Sequence, residues 1–195
     1  TNEGSLWSDS TQEALQTYIN GLEQTLSTSP FTATASATVT NTQTETTIIG
    51  SGVGTLTLPA NFFLAGKTIR VTASGVLSTT LISPPTLRIR VKLGTTVVLD
   101  TLGQPTTANL IDRGFEVSGI ITCRTTGATG TLFGQGKFIN STAATTAEIW
   151  DMENAATTTI NTTVTQTIDI TAEWGVGVGA SDTITGTNVL IEVLN

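Results

Sequence analysis

Thr86-Leu87-Arg88-Ile89-Arg90-Val91-Lys92-Leu93 decides how this chain is read. Leu87, Ile89, Val91 and Leu93 alternate with Arg88, Arg90 and Lys92 without a break. A period of two places the apolar side chains on one face of an extended strand and the three cations on the other. Gly94-Thr95-Thr96 follows as a short turn, and Val97-Val98-Leu99-Asp100 as the returning strand. Upstream, Lys67 to Leu77 is a further extended segment.

The same period recurs outward from this unit. Phe31 to Glu45 places Phe31, Ala33, Ala35, Ala37 and Val39 at alternate positions, as a strand or an extended linker into the sheet. Thr55 to Pro59 is a short strand stopped by proline, and Ala60 to Gly66 a helical turn whose aromatics plug one end of the sheet. Leu81-Ile82-Ser83-Pro84-Pro85 is an exposed loop. Phe115 to Arg124 turns Phe115, Val117, Ile121 and Cys123 to one face and Glu116, Ser118, Ile120 and Arg124 to the other. Thr131 to Ile139 returns beside it, its Gly134 and Gly136 marking a bulge or a close backbone approach. Ala147 to Asn154 is less regular. Thr165 to Trp174 and Thr183 to Leu194 close the chain, the last with a bulge at Gly186. Eight to ten such runs, with no helix after Leu26, predict an all-β fold. A two-sheet jelly-roll-like sandwich is the most economical form.

Composition agrees. Threonine makes up about a fifth of the 195 residues, and its β-branching favours strands. With 38% hydrophobic content the chain suits one domain, or one domain plus an appendage. A net charge of -7 argues against nucleic acid as a partner, because phosphate contacts need a basic surface. No apolar run reaches the ~20 residues of a spanning helix, so no membrane insertion is expected. Cys123 is the single cysteine, so no internal disulfide forms. Histidine is absent, which removes the commonest general base and zinc ligand. No enzyme, cofactor or metal site is expected.

The first 29 residues differ in pattern. Ser10-Thr11-Gln12-Glu13 has the form of a capping box. Leu15, Ile19, Leu22 and Leu26 then recur at spacings of four, three and four, a heptad seam. Residues 1–29 are therefore expected to form a short helical segment, and residues 30–195 the β-sandwich. That helix either lies against the β domain or ends a coiled-coil stalk of a trimer.

Leu58 to Arg70, Ile120 to Gly130, Gln166 to Trp174 and Asn188 to Asn195, taken together, resemble domains encoded among bacteriophage structural genes. The resemblance covers Gly50 to Asn195. It implies a protein of the virion surface: a head fibre, spike, capsid-decorating protein or receptor-binding tip. Such proteins are commonly trimers of tumour-necrosis-factor-like jelly rolls on a helical or fibrous stalk. On that implication the chain is a non-enzymatic virion protein that forms a homotrimer, contacts other virion proteins and engages a host surface glycan. A carbohydrate-binding sandwich of a secreted or cell-surface protein is the second reading, and a carboxylate-based glycan hydrolase the third.

Site candidates are few. Arg88, Arg90 and Lys92 either grip an anionic glycan or pair with carboxylates such as Glu116 and Asp169 on neighbouring strands, and the structural role is favoured. Trp150 and Trp174 are expected in the core or a subunit interface rather than as sugar platforms. Asp151, Glu153 and Asn154 lack the spacing of a calcium loop. The glycine runs 50–54 and 175–179 lack the strand-to-helix setting of a nucleotide site. Cys123 is expected as a small buried apolar residue.

Overall fold

Short turns and alternating apolar residues yield an antiparallel β architecture. The computed structural model describes residues 30–152 and 156–195 in full, and of the chain before Pro30 only backbone at 6–9, 14–19 and 22–25. The expected N-terminal helix and its seam of Leu15, Ile19, Leu22 and Leu26 thus lie outside the residues described in full. Glu153 and Asn154 lie outside them too.

Numbered from Phe31, the strands are β1 (Phe31–Ala33), β2 (Ala37–Thr40), β3 (Thr46–Thr47), β4 (Gly52–Gly54), β5 (Thr57–Leu58), β6 (Thr68–Ser78), β7 (Thr86–Leu93), β8 (Thr96–Asp100), β9 (Gln104–Pro105), β10 (Arg113–Thr125), β11 (Gly130–Ala143), β12 (Thr146–Asp151), β13 (Thr158–Ile160), β14 (Gln166–Trp174) and β15 (Thr183–Val193). The larger sheet runs β12-β11-β10-β6-β15-β1-β4, with β13 beside β11 and β2 beside β15. The smaller runs β8-β7-β14-β3, with β9 beside β7 and β5 beside β14. No helix occurs among the described residues. The chain passes to the other sheet at every step from β2 to β7, and again between β9 and β10, between β13 and β14 and between β14 and β15, while β10, β11, β12 and β13 all belong to the larger sheet. This two-sheet sandwich is compatible with a jelly-roll-like fold, with the β11–β12 hairpin widening one sheet.

The core lies between the sheets, where the inward faces meet. Leu87, Ile89, Val91 and Leu93 are fully buried, as are Ile168, Ile170 and Ala172 opposite them on β14. Phe115, Val117, Ile121 and Cys123 bury as the alternation of β10 predicts, and Ile120 stays outside at 44% exposure. At one place the sheets approach closely. Leu99 of β8 enters a trough made by Gly119, Gly134 and Gly136, where a Cβ on Gly119 would lie 2.4 Å from its Cδ1. The two glycines of β11 therefore serve a close approach and not a bulge, since pairing with β10 runs unbroken through both. The bulge expected at Gly186 is present, as a register shift between Gly186 and Asn188.

Threonine serves two purposes. Across strands its hydroxyls pair directly, as in Thr38–Thr185 at 2.8 Å, Thr68–Thr122 at 3.0 Å and Thr125–Thr131 at 2.8 Å. In turns its Oγ1 accepts from a backbone N–H two residues on, as Thr42 does from Thr44 and Thr55 from Thr57.

Three expectations need correction. Residues 31–45 form two strands, because Thr34 and Ala35 turn aside to donate their N–H groups to Ser51 O. Ala60 to Gly66 forms turns and no helix; Phe63 is nevertheless buried, with Phe62 edge-on to it at 5.2 Å. Thr146–Asp151 is an edge strand, paired with β11 from Ala143 to Lys137 with one register shift between Ser141 and Ala143. Its alternation is masked because the inward positions hold Glu148 beside Trp150. Trp150 completes an aromatic stack, 4.7 Å from the Phe138 ring, which lies 5.5 Å from Phe115.

Candidate functional site

Two regions concentrate chemistry. The first is the outer face of the smaller sheet, where β7 presents Arg88, Arg90 and Lys92. Register places Glu173, Thr171 and Asp169 of β14 opposite them, in that order. On the other side Asp100 of β8 pairs with Arg90. Glu45 enters this face from the residue just before β3. The Arg88 side chain meets Asp100 as a fork: Nε donates to Oδ1 at 2.9 Å and Nη2 to Oδ2 at 2.5 Å. Arg90 Nη1 lies 2.7 Å from Glu173 Oε2 and 3.1 Å from Glu45 Oε2, and Lys92 Nζ lies 2.9 Å from Glu45 Oε1. Thr171 Oγ1 donates to Glu45 Oε1 at 2.7 Å, and Thr47 Oγ1 to Asp169 Oδ1 at 2.6 Å.

All three cations are thus held by carboxylates of their own sheet. The partners differ from those expected. Glu116 lies on the larger sheet, and Asp169, though opposite Lys92, is engaged by Thr47. Arg90 is the centre, its side chain only 8% exposed. Burial pushes the Asp100 carboxyl up, but the Arg88 fork, the Leu102 N–H and the charges of Arg88 and Arg90 outweigh it and leave the carboxyl below its usual range. Glu45 behaves likewise: burial raises it, and bonds from Thr171 and Lys92 with the Arg90 and Lys92 charges bring it below normal. The Asp100 hydrogen bond lifts Arg88 above its ordinary value, against burial. Asp169 is raised, chiefly by burial and with help from the Glu45 charge, despite the Thr47 bond and the Lys92 charge. The face is thereby neutralised by a lattice of ion pairs. An anionic ligand would have to displace carboxylates to reach its cations.

Other candidates resolve plainly. Trp150 and Trp174 are buried, and Trp174 Nε1 donates to Val39 O at 3.5 Å. They pack the core rather than offer a stacking surface. Burial raises the thiol of Cys123, and its Sγ lies 3.3 Å from Thr125 O. Among the described residues no cluster of three or more Cys, Asp or Glu could hold a metal ion. Lys67 lies 4.2 Å over the Phe62 ring, and burial lowers its amine below the ordinary range.

The second region is one end of the sandwich, where loops 79–85, 101–112 and 175–182 meet. They are tied to one another through buried groups. Asp182, fully buried, accepts from Thr80 N at 2.8 Å through Oδ1 and from Gly179 N at 2.7 Å through Oδ2. Thr79 Oγ1 donates to Thr107 O at 2.7 Å and accepts from Leu110 N at 3.0 Å. Asn109 N donates to Thr80 O at 2.8 Å. Asn41, Ser83, Leu102, Asn109 and Asp112, all at this end, have positive φ, and the tertiary bonds hold the loops in that form. Between the loops lies an open cleft of about 420 Å³. Its polar lining includes Ser78, Asn109, Asp112, Ser181 and Thr183, and its apolar lining includes Leu81 and Ile111. Leu81 and Ile111 are 67% and 70% exposed, and Ile82 and Val176 nearby are 78% and 82% exposed. The sequence carried one signal of this end, a pair of large apolar residues at Leu81-Ile82 inside a Pro-rich loop. The meeting of the three loops depends on strand order and has no local signature.

Comparison with protein-family models, with curated proteins and with solved structures finds no match to this chain. The architecture is a two-sheet all-β sandwich with a self-neutralised charged face and a hydrogen-bonded loop end bearing exposed apolar side chains.

Proposed function

We propose that this chain is a non-enzymatic structural protein of a phage particle. It forms a homotrimeric surface fibre, spike or decoration head that takes part in host-surface attachment or capsid decoration, with other virion proteins as its neighbours. The loop end carries this reading. Four large apolar side chains stand exposed on loops that are tied to one another by hydrogen bonds of the buried Thr79 and Asp182 side chains, an arrangement suited to meeting a partner with little reorganisation. The jelly-roll-like sandwich and the resemblance of Gly50 to Asn195 to phage structural domains support it. The carboxylate lattice favours a passive role for Arg88, Arg90 and Lys92, as a brace for the smaller sheet.

Association in this reading is driven by apolar burial, at ~25 cal/mol per Å². Light scattering at micromolar concentration should give three times the 20.2 kDa chain mass. Immunogold labelling with an antibody to residues 30–195 should decorate the surface of the particles that encode the chain. A single-chain mass together with unlabelled particles would reject the proposal.

A further inference from the structure

We infer that the cleft at the loop end is a saccharide site, taking one hydroxyl-rich, uncharged sugar residue at the terminus or side branch of a glycan. The inference rests on the attachment role proposed above and gives that role a place and a chemistry. Its grounds are the lining groups. Asp112 Oδ1 accepts from Ser78 Oγ at 3.3 Å, leaving Oδ2 to accept from a ligand hydroxyl. Ser181, Thr183 and the Asn109 amide can each donate and accept, which matches the dual character of sugar hydroxyls. Leu81 and Ile111 supply an apolar wall for the C–H face of a pyranose. A volume of about 420 Å³ is within the range of small-ligand sites, and its openness to solvent suits one residue of a longer chain.

Charge selects among sugars. Neither Lys nor Arg lines the cleft; Asp112 does, on a chain of net charge -7. Sialic and uronic acids are therefore repelled, and neutral hexoses are favoured. Arg113 follows Asp112 in the chain but is absent from the lining. The basic ladder on the smaller sheet is a different surface, already closed by its own carboxylates.

The test is an array of neutral and acidic oligosaccharides probed with the full chain, then calorimetric titration with the best binder. Neutral sugars should be selected. Asp112→Asn should weaken binding about tenfold, because a charged acceptor is replaced by a neutral one. Ile111→Ser, at an exposed position, should weaken it with an unchanged melting temperature, which separates loss of binding from loss of fold. Arg113→Gln should bind as the parent does. An empty array, selection of acidic sugars with loss in Arg113→Gln, or parent-like affinity in both cleft variants would each overturn the assignment. The two proposals fail separately. A trimer that labels particles but binds no sugar overturns the cleft alone. A sugar-binding monomer that does not label particles overturns the virion role and leaves the cleft standing.

Discussion

Arg88 and Asp100, twelve residues apart, face each other across the β7–β8 hairpin as a two-bond fork, Nε to Oδ1 and Nη2 to Oδ2. The turn at Gly94 brings them together, and Gly94 has the positive φ of 58° that such a turn requires. A register shift between Val91 and Lys92 lets the strand carry Asp100 to the same face as both arginines. Asp100 Oδ1 also accepts from Leu102 N at 2.8 Å, so the carboxylate fixes the exit into loop 101–112. The charged face and the loop end are therefore joined mechanically at one residue.

The lattice should be graded by burial. Arg88→Gln should lower unfolding stability by about 1 kcal/mol, since its side chain is partly exposed. Arg90→Gln should cost about 3 kcal/mol, because Glu45 and Glu173 lose a cation that is almost out of water. Urea denaturation of both variants measures the ratio. Equal, negligible losses would show that the lattice does not brace the sheet.

Acid should weaken the lattice from a predictable side. Asp100 and Glu45 have folded pKa values below their unfolded ones. The stability they contribute is fully present above the unfolded carboxylate range of ~4 and is lost as pH falls through the folded values. Asp169 has the opposite sign: its folded pKa is raised, so its charged form destabilises the fold at neutral pH. Asp169→Asn keeps an acceptor for Thr47 and should raise the melting temperature at pH 7. The gain should shrink toward pH 3, and thermal melts at the two pH values test it.

Gly75 should tolerate no side chain. A Cβ there would lie 1.8 Å from the backbone oxygen of Thr185, at the bulge of β15. Gly75→Ala should cost about 3 kcal/mol or prevent folding. Gly114→Ala, in the same sheet with nothing within 4 Å, is the matched control and should be neutral. Chemical denaturation of the pair decides it.

Cys123 should not react in the folded protein. It is fully buried and burial holds its thiol above the ordinary value, so little thiolate forms at pH 8. A disulfide reagent should label it only in denaturant. Prompt labelling of the native chain would mean that the end of β10 opens readily.

Much of the fold was legible because alternation is local. The residues of β7 and β10 state which side chains point inward, and the structure buries Leu87, Ile89, Val91, Phe115, Val117 and Ile121 accordingly. Glycine and proline marked the turns, and Gly186 its bulge. Local pattern alone therefore sets an all-β sandwich and the inner and outer face of most strands. Which carboxylates meet the ladder is, by contrast, set by long-range packing. Glu45, Asp100 and Glu173 come from three separate segments, and strand order and register alone bring them to Arg88 and Arg90. It also decided that Trp150 joins the core, through pairing of β12 with β11. The loop end arose in the same way: Thr79, Thr107 and Asp182 are far apart in sequence, and no short-range pattern encodes contacts that form only when two sheets stack.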